Sequence, residues 1–183
     1  MHLKGALHVH TTCSDGTLTI EQTASVYERL GFDFIALTDH DYLVRAGCYD
    51  RVRQLDTSLI VFTGMELTIF EKGYLHVNRI DGDREILHIF NHPAELDLPV
   101  PKVVERIQAV ARRLPIDAVE VTTKGFRTPE FEIDAIPFPK VATDDAHTLQ
   151  GCGRAWVEMD CARKKDSIIR SIKNNAFWNC YAG

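Results

Sequence analysis

Apolar runs typical of buried β-strands recur along this chain, and they constrain its fold more than any other feature. About seven such runs are present, and helical patterns lie between several of them. In chain order they read GALHVH, FDFIALTD, SLIVFTGMEL, EILHIFNH, IDAVEVTT, PKVATD and GRAWVEMD. Alternation of strands and helices is typical of parallel α/β folds, because a crossover helix returns the chain to the start of the next strand. The pattern predicts an α/β fold, either a small irregular βα barrel or an open parallel sheet.

Three segments carry the periodicity of amphipathic helices. The first runs from Ile20 to Leu30, with Thr19 and Gln22 matching the capping-box pattern and a glycine at its end. The second spans 100–114 between prolines, and the third spans 166–175. Residues 67–84 are predicted to form a strand pair or loop, and residues 124–138 an irregular segment.

Length and composition indicate one ordinary globular domain over residues 1–183. A chain of this size buries about 70% of the surface that it exposes when unfolded. No repeat, low-complexity tract or linker divides it, and no apolar run approaches the ~20 residues that span a bilayer. The five cysteines include no CxxC pair, and no signal-peptide pattern follows Met1. We therefore expect free thiols and a cytoplasmic protein.

The net charge of the chain is -5, and its isoelectric point is near 5.9. Such a surface offers no general attraction for nucleic-acid phosphates or anionic lipids. Neither extended duplex nucleic acid nor a membrane is therefore an expected partner. A small anionic substrate becomes plausible only where bound cations concentrate positive charge.

Polar side chains cluster at the ends of the predicted strands. His8 and His10 lie two residues apart, and such residues share one face of a strand, so that both imidazoles can meet one cation. The others are Asp39, His40, Asp41, Glu66, His92, Asp144, Asp145 and His147. A single histidine is more often a surface or hydrogen-bonded core residue, but the joint pattern favours metal binding, because buried polar groups need partners. Neutral imidazoles suit Zn, Fe or Mn better than Mg or Ca.

Five short motifs in this order resemble those of the PHP family, the polymerase and histidinol phosphatase domain. They read HVHTTCSDG, TDHD, GME, NHP with an upstream histidine, and DDAH, and they spread from His8 to His147. The resemblance implies a distorted barrel of seven βα units in a single compact domain. It also implies up to three divalent metal ions, Mn, Fe or Zn, and it supports the barrel over the open sheet.

The resemblance further implies which residues would hold and use these metals. The first metal would be held by His8, His10, Glu66 and Asp145. The second would be held by Asp15, His40 and His147. The third would be held by Glu66, His76 and His92, with Glu66 bridging. His76 has only its distance from Glu66 in its favour, and Cys13 is expected to be a small buried residue rather than a ligand.

The activity implied is hydrolysis of a phosphoester on a small phosphorylated substrate, such as a phosphomonoester, a nucleotide or an oligonucleotide end. Metals lower the pKa of bridging water towards ~7, so that hydroxide is available to attack phosphorus. Familiar phosphatase members carry a basic residue soon after the HP step, whereas this chain reads HPAEL. Lys124, Arg127 and Arg154 are the alternative phosphate-binding candidates, and Asp41 or a metal-bound water are candidates for the proton donor.

Two other functions remain open at this point. One is a polymerase-associated, exonuclease-like domain, for which a basic groove is expected and none is visible in the sequence. The other is a non-catalytic, metal-stabilised binding or regulatory domain, against which the full set of ligands argues. A Ser-His-Asp hydrolase is poorly supported, because the chain has no GxSxG motif.

Overall fold

The computed structural model describes residues 1–183. It contains eleven β-strands and three α-helices, together with three short 3₁₀ helices at Cys48–Gln54, Pro93–Leu96 and Pro129–Phe131. The strands are β1 His2–Val9, β2 Phe34–Leu37, β3 Ile60–Phe70, β4 Tyr74–Asp81, β5 Ile86–Phe90, β6 Ala118–Glu120, β7 Thr122–Thr123, β8 Phe126–Arg127, β9 Lys140–Val141, β10 Ala155–Asp160 and β11 Trp178–Tyr181. The α-helices are α1 Ile20–Arg29, α2 Val100–Ala111 and α3 Lys165–Lys173.

Nine strands form one mixed sheet in the order β11-β10-β1-β2-β3-β4-β5-β6-β9. Pairing is parallel from β1 through β2 to β3 and from β5 through β6 to β9. It is antiparallel between β3 and β4, between β4 and β5, and along β1, β10 and β11. The sheet curls into a nearly closed barrel, which confirms the predicted barrel over an open sheet. Direct turns replace several crossovers, so three α-helices are present instead of one after every strand.

The two edges of the sheet, β9 and β11, are joined by the side chain of Asn179. Its Nδ2 donates to the carbonyl of Lys140 at 2.8 Å, and its Oδ1 accepts from the backbone N–H of Ala142 at 2.8 Å. An amide side chain thus supplies the donor and the acceptor that a neighbouring strand would offer. This contact closes the barrel and covers two otherwise open strand edges.

Replacing Asn179 with alanine is expected to lower the free energy of unfolding by about 2 kcal/mol, because two half-buried backbone groups lose their partners. For a chain of this size, that loss lowers the melting temperature by about 4–8 °C. Thermal unfolding followed by circular dichroism measures the shift. Asn174→Ala is the matched control, because the Asn174 side chain is exposed; equal melting temperatures for the two variants would contradict the role of Asn179.

The barrel interior is filled by apolar side chains from strands on all sides. Leu3 of β1, Phe34 of β2, Phe62 of β3 and Ile80 of β4 belong to one buried cluster. The isoleucines of α3 pack into the same cluster, so this helix covers one end of the interior. The outer faces of the strands form two further clusters, one against α1 and one against α2.

Helix α1 begins as the sequence predicts. The Thr19 hydroxyl accepts from the backbone N–H of Gln22 at 3.2 Å, and the Gln22 side chain accepts from the N–H of Thr19 at 2.9 Å. This reciprocal pair satisfies two N–H groups that the first turn of a helix leaves without partners.

No helix in the structure has both the length and the apolar character needed to cross a membrane.

The prediction of five free thiols is wrong for one pair. Cys13 and Cys48 form a disulfide, with their Cα atoms 5.9 Å apart. The bond links the loop after β1 to the first residue of the 3₁₀ helix at 48–54. Cys152, Cys161 and Cys180 are free. Cys13 is buried, as predicted, but it is bonded.

Candidate metal centre

The strand ends and the loops that follow them bring the nine predicted ligands to one end of the barrel. Residues 62, 64 and 66 of β3 alternate with outward-facing residues, so Glu66 lies above the core residue Phe62 on the inner face. His76 occupies the inner face of β4 in the same way, two residues before Asn78. The remaining ligands come from the end of β1 or from loops, and the sheet geometry makes all of them neighbours.

Glu66 is the centre of this group. Its carboxylate is almost fully buried. Ring nitrogens within 3.5 Å of its two oxygens belong to His8, His10, His40, His76 and His92. Asn91 also donates to Oε1 at 2.7 Å, which fixes the orientation of the carboxylate. A single carboxylate therefore contacts five imidazoles.

Asp145 and Asp15 supply the other two carboxylates. Asp145 Oδ1 lies 3.3 Å from His8 Nε2, 3.4 Å from His10 Nε2 and 3.5 Å from His147 Nδ1. Asp15 lies on the solvent side, with its oxygens 3.4–3.6 Å from nitrogens of His10, His40 and His147.

The backbone is strained at two of the candidate ligands. Asp145 and His92 have φ values of 44° and 24°. Such strained backbone at residues other than glycine is concentrated at functional sites.

The donor set fits divalent cations. Ligand atoms within 4.8 Å of one another form three overlapping groups. They are His10, Asp15, His40 and His147; His8, His10 and Glu66; and His40, Glu66 and His76. Two buried atoms, His40 Nδ1 and Asp145 Oδ1, make no hydrogen bond. Buried polar atoms are rarely left so, and coordination to a cation would give each of them a partner.

The charges inside the cluster are strongly coupled. Burial opposes protonation of His10, but hydrogen bonds with Asp145, Asp15 and Glu66 outweigh it and raise its pKa to about 10. Burial opposes ionisation of Glu66, yet the neighbouring histidines hold its pKa far below the usual range. Without metal, protons on imidazoles thus balance the buried carboxylates. Cations that bind at neutral pH must displace these protons.

Comparisons with known proteins agree with this geometry. The sequence profile of the PHP domain matches residues 6–123, well over half of the chain. The chain belongs to the PHP domain family. It is 25% identical over 114 residues to the DNA polymerase/3'-5' exonuclease PolX of Bacillus subtilis, and this match covers 55% of the chain but only 18% of that protein.

Solved structures share the fold of this PHP domain at low sequence identity. A two-domain protein of Bacteroides vulgatus, described as containing a predicted PHP-like metal-dependent phosphoesterase, superposes with a TM-score of 0.74 at 19% identity, over 99% of this chain and 65% of that one. PsfC of Pseudomonas syringae gives 0.69 at 15%, covering 100% and 92%. An amidohydrolase of Chromobacterium violaceum with bound sulfate gives 0.67 at 12%, covering 97% of each chain.

Glu120 belongs to the centre of this PHP domain, although the sequence reasoning missed it. It is fully buried at the end of β6 and accepts from His8 Nδ1 at 2.7 Å, the His92 N–H at 2.7 Å and the Thr143 hydroxyl at 2.8 Å. A carboxylate on the far nitrogen of a histidine fixes the tautomer and aims the other nitrogen at a metal. The sequence does contain a signal for this residue, because Glu120 is a carboxylate towards the end of a predicted strand, as the predicted ligands are.

Exchanging Glu120 for glutamine is expected to weaken metal binding about 10- to 100-fold, as loss of such partners does elsewhere. Glutamine can face either His8 or the His92 N–H with its single oxygen, but not both. Equilibrium dialysis against Zn²⁺ or Mn²⁺, with Glu105→Gln as the control on the exposed side of α2, measures the change. Wild-type affinity in the Glu120 variant would count against this role.

Two further buried aspartates hold the loops in place. Asp39 accepts hydrogen bonds from the backbone N–H groups of Thr11 and Ser14, from both of their hydroxyls, and from Tyr49. These contacts fix the loop that carries Asp15. Asp144 accepts from the Tyr27 hydroxyl at 2.5 Å, and its burial raises its pKa to about 7. Asp41, a candidate proton donor, accepts instead from the N–H and hydroxyl of Thr68.

Two of the predicted phosphate-binding residues, Arg127 and Arg154, make their contacts outside the cluster. Arg127 forms a two-pronged ion pair with Glu132, both contacts at 2.7 Å. The Arg154 guanidinium lies over the ring of Phe126 and donates to the carbonyl of Lys124. No lysine or arginine pairs with any of the nine ligands. Within the protein, positive charge at this centre therefore comes from protonated imidazoles.

Proposed function

We propose that this chain is a metal-dependent phosphoesterase that hydrolyses a small phosphate ester: a phosphomonoester, a nucleotide or an oligonucleotide end. The observation that carries the proposal is the set of overlapping ligand groups around Glu66. Membership of the PHP family supports the same reaction class.

The residues divide into three proposed metal positions. His8, His10, Glu66 and Asp145 hold the first. Asp15, His40 and His147 hold the second. Glu66, His76 and His92 hold the third, with Glu66 shared. Divalent Mn, Fe or Zn at these positions would activate water and neutralise charge on the phosphate. The histidines act as ligands in this arrangement rather than as general bases.

Exposure within the cluster indicates the side from which substrate enters. His8, His10 and Glu66 are inaccessible at the base of the site. The Asp15 side chain is 41% exposed, and those of His76 and His147 are partly exposed. The phosphate therefore approaches across the Asp15 and His76 side. Glu120 and Asn91 hold the buried base rigid while charge develops on the substrate.

A polymerase-associated, exonuclease-like domain is a second candidate. The similarity to PolX, whose name includes a 3'-5' exonuclease, favours it. The chain spans only 18% of PolX, and its net charge is -5. A short single-stranded end fits these facts better than an extended duplex.

The deciding experiment is to purify the protein without chelators, measure Mn, Fe and Zn per chain, and assay the same sample on phosphomonoesters and phosphodiesters. We expect about three metals per chain, one for each proposed position, and hydrolysis that His10→Ala and Asp145→Ala abolish. His2→Ala is the control, because His2 pairs with Glu158 and Asp160 away from the cluster. Bound metal with no turnover of any ester would overturn the proposal and favour a non-catalytic binding domain.

A further inference from the structure

The hairpin of β3 and β4 extends the inner face of the barrel beyond the metal centre. Its register pairs Glu66 with Asn78, Thr68 with His76, and Phe70 with Tyr74. Directly opposed residues in an antiparallel pair share one face, and residues two apart along a strand share it too. Phe70 and Tyr74 therefore face the same side as Glu66 and His76.

Packing on the other face of the hairpin supports this assignment. Leu75 and Val77 are buried against Val103 and Ile107 of α2, and Ile69 packs on the same cluster. These residues alternate with the inner-face set. The helix thus covers the outer face and leaves the inner face open above the ligands.

Phe70 and Tyr74 form what we call the aromatic wall. Their side chains are 63% and 74% exposed, and their ring centroids lie 5.5 Å apart in an edge-on arrangement. Tyr74 lies two residues from His76, about 7 Å along the strand. Two adjacent rings exposed to water on the face that carries the candidate ligands form an apolar patch, and such patches mark ligand-binding grooves among other interaction sites.

The wall is held in place rather than loose. Arg113 Nη1 donates to the carbonyl of Phe70 at 3.4 Å and to the Glu71 carboxylate at 3.2 Å. Arg106 donates to the carbonyl of Glu71. Both arginines are anchored at or just after α2, so the hairpin turn is fixed to the helix that packs behind it.

We propose that the aromatic wall forms a subsite for a planar aromatic ring in the alcohol portion of the ester. The assignment rests on the proposed phosphoesterase function. The phosphate occupies the metal centre while the ring stacks on Tyr74 or Phe70, since aromatic faces bind planar rings with little regard to their substituents. The preferred substrates are esters that carry a nucleobase or a phenol ring rather than alkyl phosphates.

The test compares three esters: a nucleoside 5'-monophosphate, phenyl phosphate and glycerol phosphate. For Tyr74→Ala and Phe70→Ala, kcat/KM on the nucleotide relative to glycerol phosphate is expected to fall about tenfold, mainly through KM, as loss of one stacked ring does elsewhere. Trp178→Ala is the control, because Trp178 is 55% exposed and its ring lies beside that of His2, away from the site. A fall restricted to the nucleotide identifies a nucleobase subsite, and a fall on both aromatic esters identifies a general one.

An unchanged ratio, or an equal loss on all three esters, would overturn the subsite while leaving the phosphoesterase function intact. If no ester is hydrolysed, the proposed function fails, and calorimetric titration of the Mn²⁺-loaded protein with the same nucleotide and with glycerol phosphate tests the wall separately. Binding of the nucleotide about tenfold weaker in Tyr74→Ala supports the subsite. Equal affinity in wild type and variant rejects it.

Discussion

Replacing Glu66 with glutamine is expected to reduce phosphoester hydrolysis by about a thousandfold or more, since metal-based stabilisation of the transition state is worth several kcal/mol. The expected loss follows from the position of the side chain. Five imidazoles contact its two oxygens, and it bridges two of the proposed metal positions. Glutamine keeps the shape but removes the charge and turns one ligand oxygen into a donor.

Turnover of a phosphomonoester and metal content per chain should be measured on the same preparation. Glu105→Gln is the matched control, because Glu105 is an exposed residue of α2 whose carboxylate pairs only with Lys102. We expect its rate and metal content to equal those of the wild type. A Glu66→Gln protein with full metal content and an unaltered rate would contradict the central role given to this carboxylate.

Removal of metal by a chelator is expected to lower the melting temperature by about 10 °C for each site emptied. A ligand present at 1,000 times its dissociation constant stabilises the folded state by about 4.1 kcal/mol. For a chain of 150–250 residues, each kcal/mol is worth about 2–4 °C. The base of the site is fully buried, so cations there bind the folded state and have no equivalent partner in the unfolded chain.

Thermal unfolding with added EDTA, and again after Zn²⁺ or Mn²⁺ is restored, measures this effect. In His10→Gln, the melting temperature should change less when metal is removed or restored, because His10 takes part in two of the ligand groups. His2→Gln, an exposed histidine outside the cluster, should respond as the wild type does. Identical melting curves with and without chelator would show that the cluster holds no cation of consequence.

Much of the site was visible in the sequence because strand periodicity is a local property. Inward positions of a strand recur every second residue, so Glu66 follows from the pattern of residues before it, and His8 and His10 share a face. The structure places all nine predicted residues together, although their assignment to metals is still a prediction. The family profile confirms the resemblance seen in the motifs.

The register of β1 was not visible. The strand shifts its pairing with β2 between Ala6 and Val9. Leu7 packs in the interior cluster, yet the adjacent His8 contacts Glu66 and Glu120. Simple alternation would send these two neighbours to opposite faces. The shift in register turns both inward, and irregularities such as β-bulges commonly re-aim a side chain next to an active site.

Long-range features were also missed, and for a common reason. The strand β11 and its Asn179 bridge depend on where the barrel closes, which no local pattern records. The disulfide joins loops 35 residues apart, without any CxxC signal. In both cases the partner is chosen by the tertiary structure. The substrate-binding residues stay a prediction, because a basic residue after a strand has no required direction.

The paired register of β3 and β4 also limits how this protein can change during evolution. Removing one residue from either strand would turn every later side chain to the opposite face, and would bury rings against α2 while exposing leucines over the ligands. Removing two successive opposed pairs of residues leaves every remaining side chain on its present face. The height of the hairpin can therefore vary only in even steps, about 7 Å at a time.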